Sequence, residues 1–234
     1  MENRFYNANE AFEHYVHELY YNSISYRDTR AMFNVGFLIE NPLDNHITTD
    51  YRKWDLEYAE AEWQWYCQGI PNITSLGQIY GKVPKIWLNI ADQNGRVNSN
   101  YGYHIFKSTD SEGNYGSQYG RVIRMLQKDP STRQACMSIY NGRANHKYKN
   151  DVPCTYAINF YILDNKLNMS VMMRSNDIWY GFCNDQYCFS ELLRRACSDV
   201  SDALNREIQV GTYYHFVNNL HLYEKNVLSI PHTR

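Results

Sequence analysis

Cys154 follows Pro153 in the run VPCTY, and it is the residue here best suited to covalent chemistry. A thiolate is a strong nucleophile, but a free thiol is only slightly ionised near neutrality, and a guanidinium beside it favours the ionised form. Arg174, which ends the run KLNMSVMMR, is the candidate for that guanidinium. Taken singly, a cysteine beside a proline is more often structural than catalytic, and an arginine at a strand end is more often a solvated surface charge. Glu62 lies in EWQWYCQG, where a carboxyl among aromatic side chains is costly unless it is hydrogen-bonded or has a task. Such surroundings raise its pKa toward the range that suits general acid and base work. Asp185, in FCNDQY, reads either as the cap of the helix that follows or as a carboxyl offered to a ligand.

The elements that must position these groups follow from periodicity. Residues 9–21 place Phe12, Tyr15, Val16, Leu19 and Tyr20 on one helical face. A second helix is expected over 55–69, stopped by Gly69 and Pro71 and carrying Glu62. A third, over 117–130, ends at Asp129-Pro130 and leads into a strand over 135–141. Two strand-like runs, 155–163 and 166–174, are joined by Asp164-Asn165, residues that tolerate the positive φ of a tight hairpin turn. Cys154 enters this hairpin and Arg174 leaves it. An amphipathic helix over 186–205 and a long strand over 207–223 complete the pattern, and polar segments at 107–118 and 141–153 read as surface loops. The fold class expected is α+β, with a mainly antiparallel or mixed sheet flanked by helices.

A chain of 234 residues can bury a sizeable core, and one domain over 1–234 is the default. With 23 basic and 25 acidic residues and a formal net charge of -2, nothing global favours nucleic acid or an anionic membrane, so an anion needs a local cluster. No apolar run is long enough to span a bilayer, and the polar, acidic start does not resemble a secretory signal, which points to the cytoplasm. The six cysteines lack a CxxC pair or a spacing suited to metal ligation, so reduced thiols and no metal are expected.

The segment 151–185 resembles the signature of the thymidylate synthase superfamily: Pro153-Cys154, a hairpin, then Arg174, Ser175, Asp177, Gly181 and a base-reading position at Asp185. Further similarities follow in the family's order. EWQWYCQG supplies Glu62, PKIWLNIADQNGRVNSNYG supplies Trp87 and Tyr101, DPSTRQACMSIYN supplies Arg133, and NNLHLYEKN supplies His221 and Tyr223, with a weaker match around Arg27 to Arg30. The resemblance implies a thymidylate synthase-like fold whose sheet face forms a homodimer interface. It implies that Cys154 adds to pyrimidine C6, making C5 able to attack a one-carbon unit from 5,10-methylenetetrahydrofolate, with Glu62 as proton-relay carboxyl and Tyr101 among the catalytic groups. Arg174 and Ser175, Arg27 or Arg30, and Arg133 from the neighbouring subunit are implied for the 5′-phosphate, and His221 with Tyr223 for the sugar hydroxyl. Trp87, Asp177 and Gly181 are implied for the folate site. HLY could equally be an alternating strand, Trp87 a core residue and Asp177 a helix cap.

Departures from the family pattern bear on the expectation. The family usually has a second arginine after the one at Arg133, whereas this chain has Gln134. Thymidylate synthases place asparagine where this chain has Asp185, and cytosine presents to that position the opposite hydrogen-bonding edge from uracil, which a carboxyl, protonated or paired with a protonated N3, matches where an amide would not. RSND followed by GF-x-ND, with Cys154-Thr155 in place of Cys-His, is similar to the deoxycytidylate hydroxymethylases of the same superfamily, which implies a virus that modifies its cytosine as source. The short run after Tyr223 suggests a less sealed site, open to the water that would capture the C5 methylene. The expected function is deoxycytidylate 5-hydroxymethyltransferase. The alternatives are a deoxycytidylate methyltransferase, a CMP hydroxymethylase, or a non-catalytic nucleotide- or RNA-binding relative.

Overall fold

The structure, a computed structural model, describes residues 3–107, 116–141 and 151–231. Much of the two expected surface loops therefore lies outside the described residues. One eight-stranded mixed sheet organises the chain: β1 (Asn3–Phe5), β2 (Ile24–Tyr26), β3 (Thr29–Ile39), β4 (Cys136–Ser138), β5 (Thr155–Leu163), β6 (Lys166–Met173), β7 (Asn176–Asp177) and β8 (Gln209–Tyr223). The strand order is β1-β3-β8-β6-β5-β4, with β2 added to β3 and β7 to β8. β8 is the spine. It runs antiparallel to β3 on one side and parallel to β6 and then β7 on the other.

The β5–β6 hairpin turns at Asp164 and Asn165, whose φ values of 49° and 61° are the positive angles expected of that pair. Alternation along the strands separates two faces. Ile158, Phe160, Met169, Val171, Met173, Tyr213, His215 and Val217 are buried beneath helices, whereas Asn159, Tyr161, Ser170, Met172, Tyr214 and Phe216 are exposed or half-buried on the other side.

The helices are α1 (Ala8–Tyr21), α2 (Leu56–Gln68), α3 (Ile73–Tyr80), α4 (Lys85–Ile90), α5 (Gln118–Lys128), α6 (Cys183–Leu204) and α7 (Glu224–Val227). Side-chain caps start three of those expected: Asn7 accepts from the Glu10 amide, Asp55 from Tyr58 and Ser117 from Gly120. α2 stops at Gly69, whose φ of 61° closes the helix in the left-handed conformation. α6 begins three residues earlier than its apolar pattern suggests, directly out of a π-helical turn over Ile178–Phe182. That early start sets the geometry of the site, because Asp185 falls inside the first turn of α6 rather than before it.

Candidate active site

The site is assembled where the β5–β6 hairpin, β7, the end of β8, α2 and the start of α6 converge. Cys154 sits immediately before β5. Arg174, immediately after β6, donates from its amide to the Cys154 carbonyl at 2.8 Å, from Nε to the Pro153 carbonyl at 3.1 Å and from Nη2 to the Val152 carbonyl at 2.7 Å. The same Nη2 lies 3.5 Å from Cys154 Sγ. The guanidinium thus clamps the loop that carries the thiol and places positive charge beside it.

Asp151 anchors the same loop from the other side. Its carboxylate accepts from the amides of Asn98 at 2.5 Å and Ser99 at 2.7 Å, and from the Ser99 hydroxyl. This ties the Cys154 loop to the segment leading into Tyr101, whose hydroxyl is a hydrogen-bonding partner of the thiol. Tyr101 is stacked on Phe189 of α6, with ring centroids 5.8 Å apart. A Cβ at Gly102 would overlap the Tyr66 backbone, so only glycine lets this segment pack so closely on α2.

Arg174 draws the Cys154 pKa down, as expected of a neighbouring guanidinium, but burial is the larger effect. With Asp185 and Asp151 also opposing ionisation, the thiol is pushed up to about 11. The surroundings of Cys154 thus favour the neutral thiol over the thiolate.

Glu62 is fully enclosed by the aromatic face of α2. Tyr58 and Tyr66, one turn before and one turn after, both direct hydroxyls at it, Tyr66 at 3.0 Å. Burial raises the Glu62 carboxyl to about 7 despite these two bonds. Trp87 Nε1 donates to the Tyr58 hydroxyl at 2.7 Å, which orients that hydroxyl as a donor toward Glu62. Trp87 is thus linked through Tyr58 to the surroundings of Glu62. Tyr58 and Tyr66 went unnoticed in the sequence, although their i±4 spacing about Glu62 was visible there.

The carboxyl of the half-buried Asp185 is held well above the usual carboxylate range chiefly by burial and then by the nearby Glu62. It does not cap α6, because no side chain caps that helix; instead its Oδ2 accepts from Asn176 Nδ2 at 2.8 Å. Gly181 passes over this pair, where a Cβ would come within 2.8 Å of Asn176 Nδ2 and 3.5 Å of Asp185 Oδ2. Asp177 does cap a helical turn, accepting from the amides of Trp179 at 3.0 Å and Tyr180 at 3.2 Å. It also stands opposite His221 in the pairing of β7 with β8, and burial raises its pKa while His221 and Arg52 oppose the rise.

His221 and Tyr223 do lie on a strand and pack edge to face, centroids 5.3 Å apart, but at the end of β8 nearest Asp177 and Cys154. Ser175 bridges β6 and β7 at the same level. Arg27 occupies the turn between β2 and β3, where the Glu224 amide donates to its neighbour Asp28 and Tyr223 pairs with Thr29. Arg30 is directed to the opposite sheet face from His221. It donates to the Tyr20 carbonyl at 2.6 Å and to Glu224 at 3.3 Å. Arg133 is exposed and remote within the chain: the Phe160 amide donates to Ala135, which places Arg133 beyond a point six residues up β5 from Cys154, about 20 Å at strand rise.

These features define a protein with a half-buried thiol, a guanidinium against it and two protonatable carboxyls on facing helices. A sequence profile described as thymidylate synthase matches residues 27–232, and the chain belongs to the thymidylate synthase family. Among curated relatives, the deoxycytidylate 5-hydroxymethyltransferase of Enterobacteria phage T4 is 32% identical over 181 residues, covering 75% of this chain and 70% of that protein. A thymidylate synthase of Buchnera aphidicola is 28% identical over 170 residues, covering 72% of this chain and 63% of its own length. The fold matches that of thermostable thymidylate synthase A from Bacillus subtilis, with a TM-score of 0.74 over 94% of this chain and 81% of that one, at 18% identity.

Proposed function

We propose that this protein is a deoxycytidylate 5-hydroxymethyltransferase, and the observation that carries the reading is the half-buried Asp185 carboxyl, held by Asn176 and near enough to Cys154 to oppose its ionisation. Burial favours the protonated form of this carboxyl, and that form presents one O–H donor and one C=O acceptor. Cytosine offers a ring N3 acceptor and an N4 amino donor, which such a carboxyl matches atom for atom; uracil offers the reverse. The 32% identity to the phage T4 enzyme supports the same choice of base.

In this reading Cys154 releases its proton to solvent, and the thiolate so formed adds to C6 of the base. Arg174 supplies the charge that favours the thiolate and, with Ser175 and Arg27, contacts the nucleotide phosphate. Glu62, poised near pH 7 and oriented by Tyr58 and Tyr66, moves protons at the base. Tyr101 holds the thiol, and His221 with Tyr223 meets the sugar. The donor set also fits a folate: Asp177, fixed by two backbone amides, offers an acceptor to a pterin edge rich in N–H groups, while Trp87, 7% exposed and packed against Trp65, would bear on that site through Tyr58. 5,10-Methylenetetrahydrofolate supplies the one-carbon unit, and water captures it at C5. Members of this family are homodimers. A dimer through the sheet face bearing Tyr161, Met172 and Phe216 would cover apolar surface and bring the partner's copy of the exposed Arg133 to the phosphate.

Asp185→Asn tests the choice of base. Replacing carboxyl by amide reverses the polarity offered to N3 and the exocyclic atom, and a matched bidentate base contact is worth about 1–3 kcal/mol. The ratio of kcat/KM for dCMP over dUMP should fall by about tenfold to a hundredfold. An unchanged ratio would remove Asp185 from base recognition.

A further inference from the structure

Asn176 is a small, buried side chain whose one hydrogen bond among the described residues is to the carboxyl just assigned to the base. We propose that Asn176 is a positioning residue that fixes which oxygen of Asp185 carries the proton, and so sets the polarity of that carboxyl for cytosine and against uracil. The inference rests on the reading of Asp185 as the base-contacting group.

Asn176 is 3% exposed and is held on β7 by its pairing with Leu220 of β8. Its Nδ2 donates to Asp185 Oδ2 at 2.8 Å. An amide NH2 has only donors, so Oδ2 must act as acceptor, and the proton of the neutral acid resides on Oδ1. Oδ1–H can then donate to a ring nitrogen while the second lone pair of Oδ2 accepts from an amino group, which is the pattern cytosine requires. Uracil would need the proton on Oδ2, where it would face the Asn176 N–H.

The orientation of the amide is itself constrained. Asn176 Oδ1 is buried with no partner among the described residues, so a flip would carry the NH2 into that position and replace one unpaired acceptor by a buried donor group without acceptors. Gly181 lies against the amide nitrogen, and a methyl group there would meet Nδ2 at 2.8 Å. The chain thus encloses this amide with only a hydrogen's clearance.

The test is the preference for dCMP over dUMP, read both as a ratio of kcat/KM and as a ratio of Kd from calorimetry, so that slow variants still report. Asn176→Ala should lower the preference by about tenfold, part of the discrimination of a full bidentate contact. Added to Asp185→Asn, the same change should have no further effect on the ratio, because Asn176 acts through that carboxyl. Gly181→Ala, which displaces the amide without removing it, should lower the ratio in the same direction and covers the case that Asn176→Ala does not fold. A loss of stability alone would not move a ratio of two substrates. An unchanged or higher preference in Asn176→Ala, with Asp185→Asn still shifting it, would overturn the role of Asn176 and leave base reading by Asp185 standing. An unchanged preference in both would overturn the reading of Asp185 as well.

Discussion

Glu62→Gln removes one titrating group while keeping the shape that fills the α2 pocket. In the folded protein the Glu62 carboxyl holds its proton to about pH 7, against an ordinary value of 4.5. Between these values the folded state binds a proton that the unfolded chain has released, so the contribution of this group to stability is complete at low pH and is lost as pH rises through 7. Each unit of separation is worth about 1.4 kcal/mol. Over the interval from about pH 5 to pH 8, most of the separation is traversed, and the wild type should lose about 2.5 kcal/mol relative to Glu62→Gln. The assay is urea unfolding of both proteins at several pH values, with the difference in unfolding free energy plotted against pH. Glu62 also raises the Asp185 pKa, so the same comparison is made in an Asp185→Asn background, where that coupling is absent. A flat difference across this window would mean that Glu62 titrates at an ordinary carboxylate value, and a proton relay poised at neutrality would have no basis.

Cys154→Ser should lose turnover by orders of magnitude while retaining nucleotide binding, since a hydroxyl is far harder to ionise than even this thiol, and wild-type protein should exchange the substrate C5 hydrogen with solvent. Near-normal turnover in the serine variant would exclude Cys154 as nucleophile. Arg133→Ala and Cys154→Ala, each inactive alone, should recover activity when their subunits are mixed, because a heterodimer would contain one intact site. Absence of recovery after verified subunit exchange would argue against a shared site.

Much of this arrangement was legible in the chain because local signals agreed with the tertiary ones. The hairpin turn at Asp164-Asn165, the period of α1 and the capped helix bearing Glu62 all depend on neighbours within a few residues. β3 was harder to see: TRAMFNVGFLI is apolar on both faces for much of its length, and Asn34, at a φ of 56°, interrupts the alternation. The direction of β6 and β7 relative to β8 depends on α6 crossing between them, which no local pattern states. Arg27 and Arg30 looked interchangeable by spacing, but the pleat sends Arg30 to the opposite face, to Tyr20 and Glu224. The thiol showed the limit of pairwise reasoning. The sequence suggested the guanidinium next to Cys154, but the degree of burial that outweighs it is a property of the folded site. Asp185 could not be separated from a helix cap until α6 was seen to begin at Cys183.

The most direct measurement is to incubate the protein with dCMP and 5,10-methylenetetrahydrofolate and to determine the nucleotide product by mass and the folate product by absorbance, with CMP, UMP and dUMP in parallel. The expected result is dCMP consumed in preference to the other nucleotides, a product heavier by one hydroxymethyl group in place of hydrogen, and tetrahydrofolate formed in equal amount. A methylated product with stoichiometric dihydrofolate, or turnover of dUMP in preference to dCMP, would contradict it.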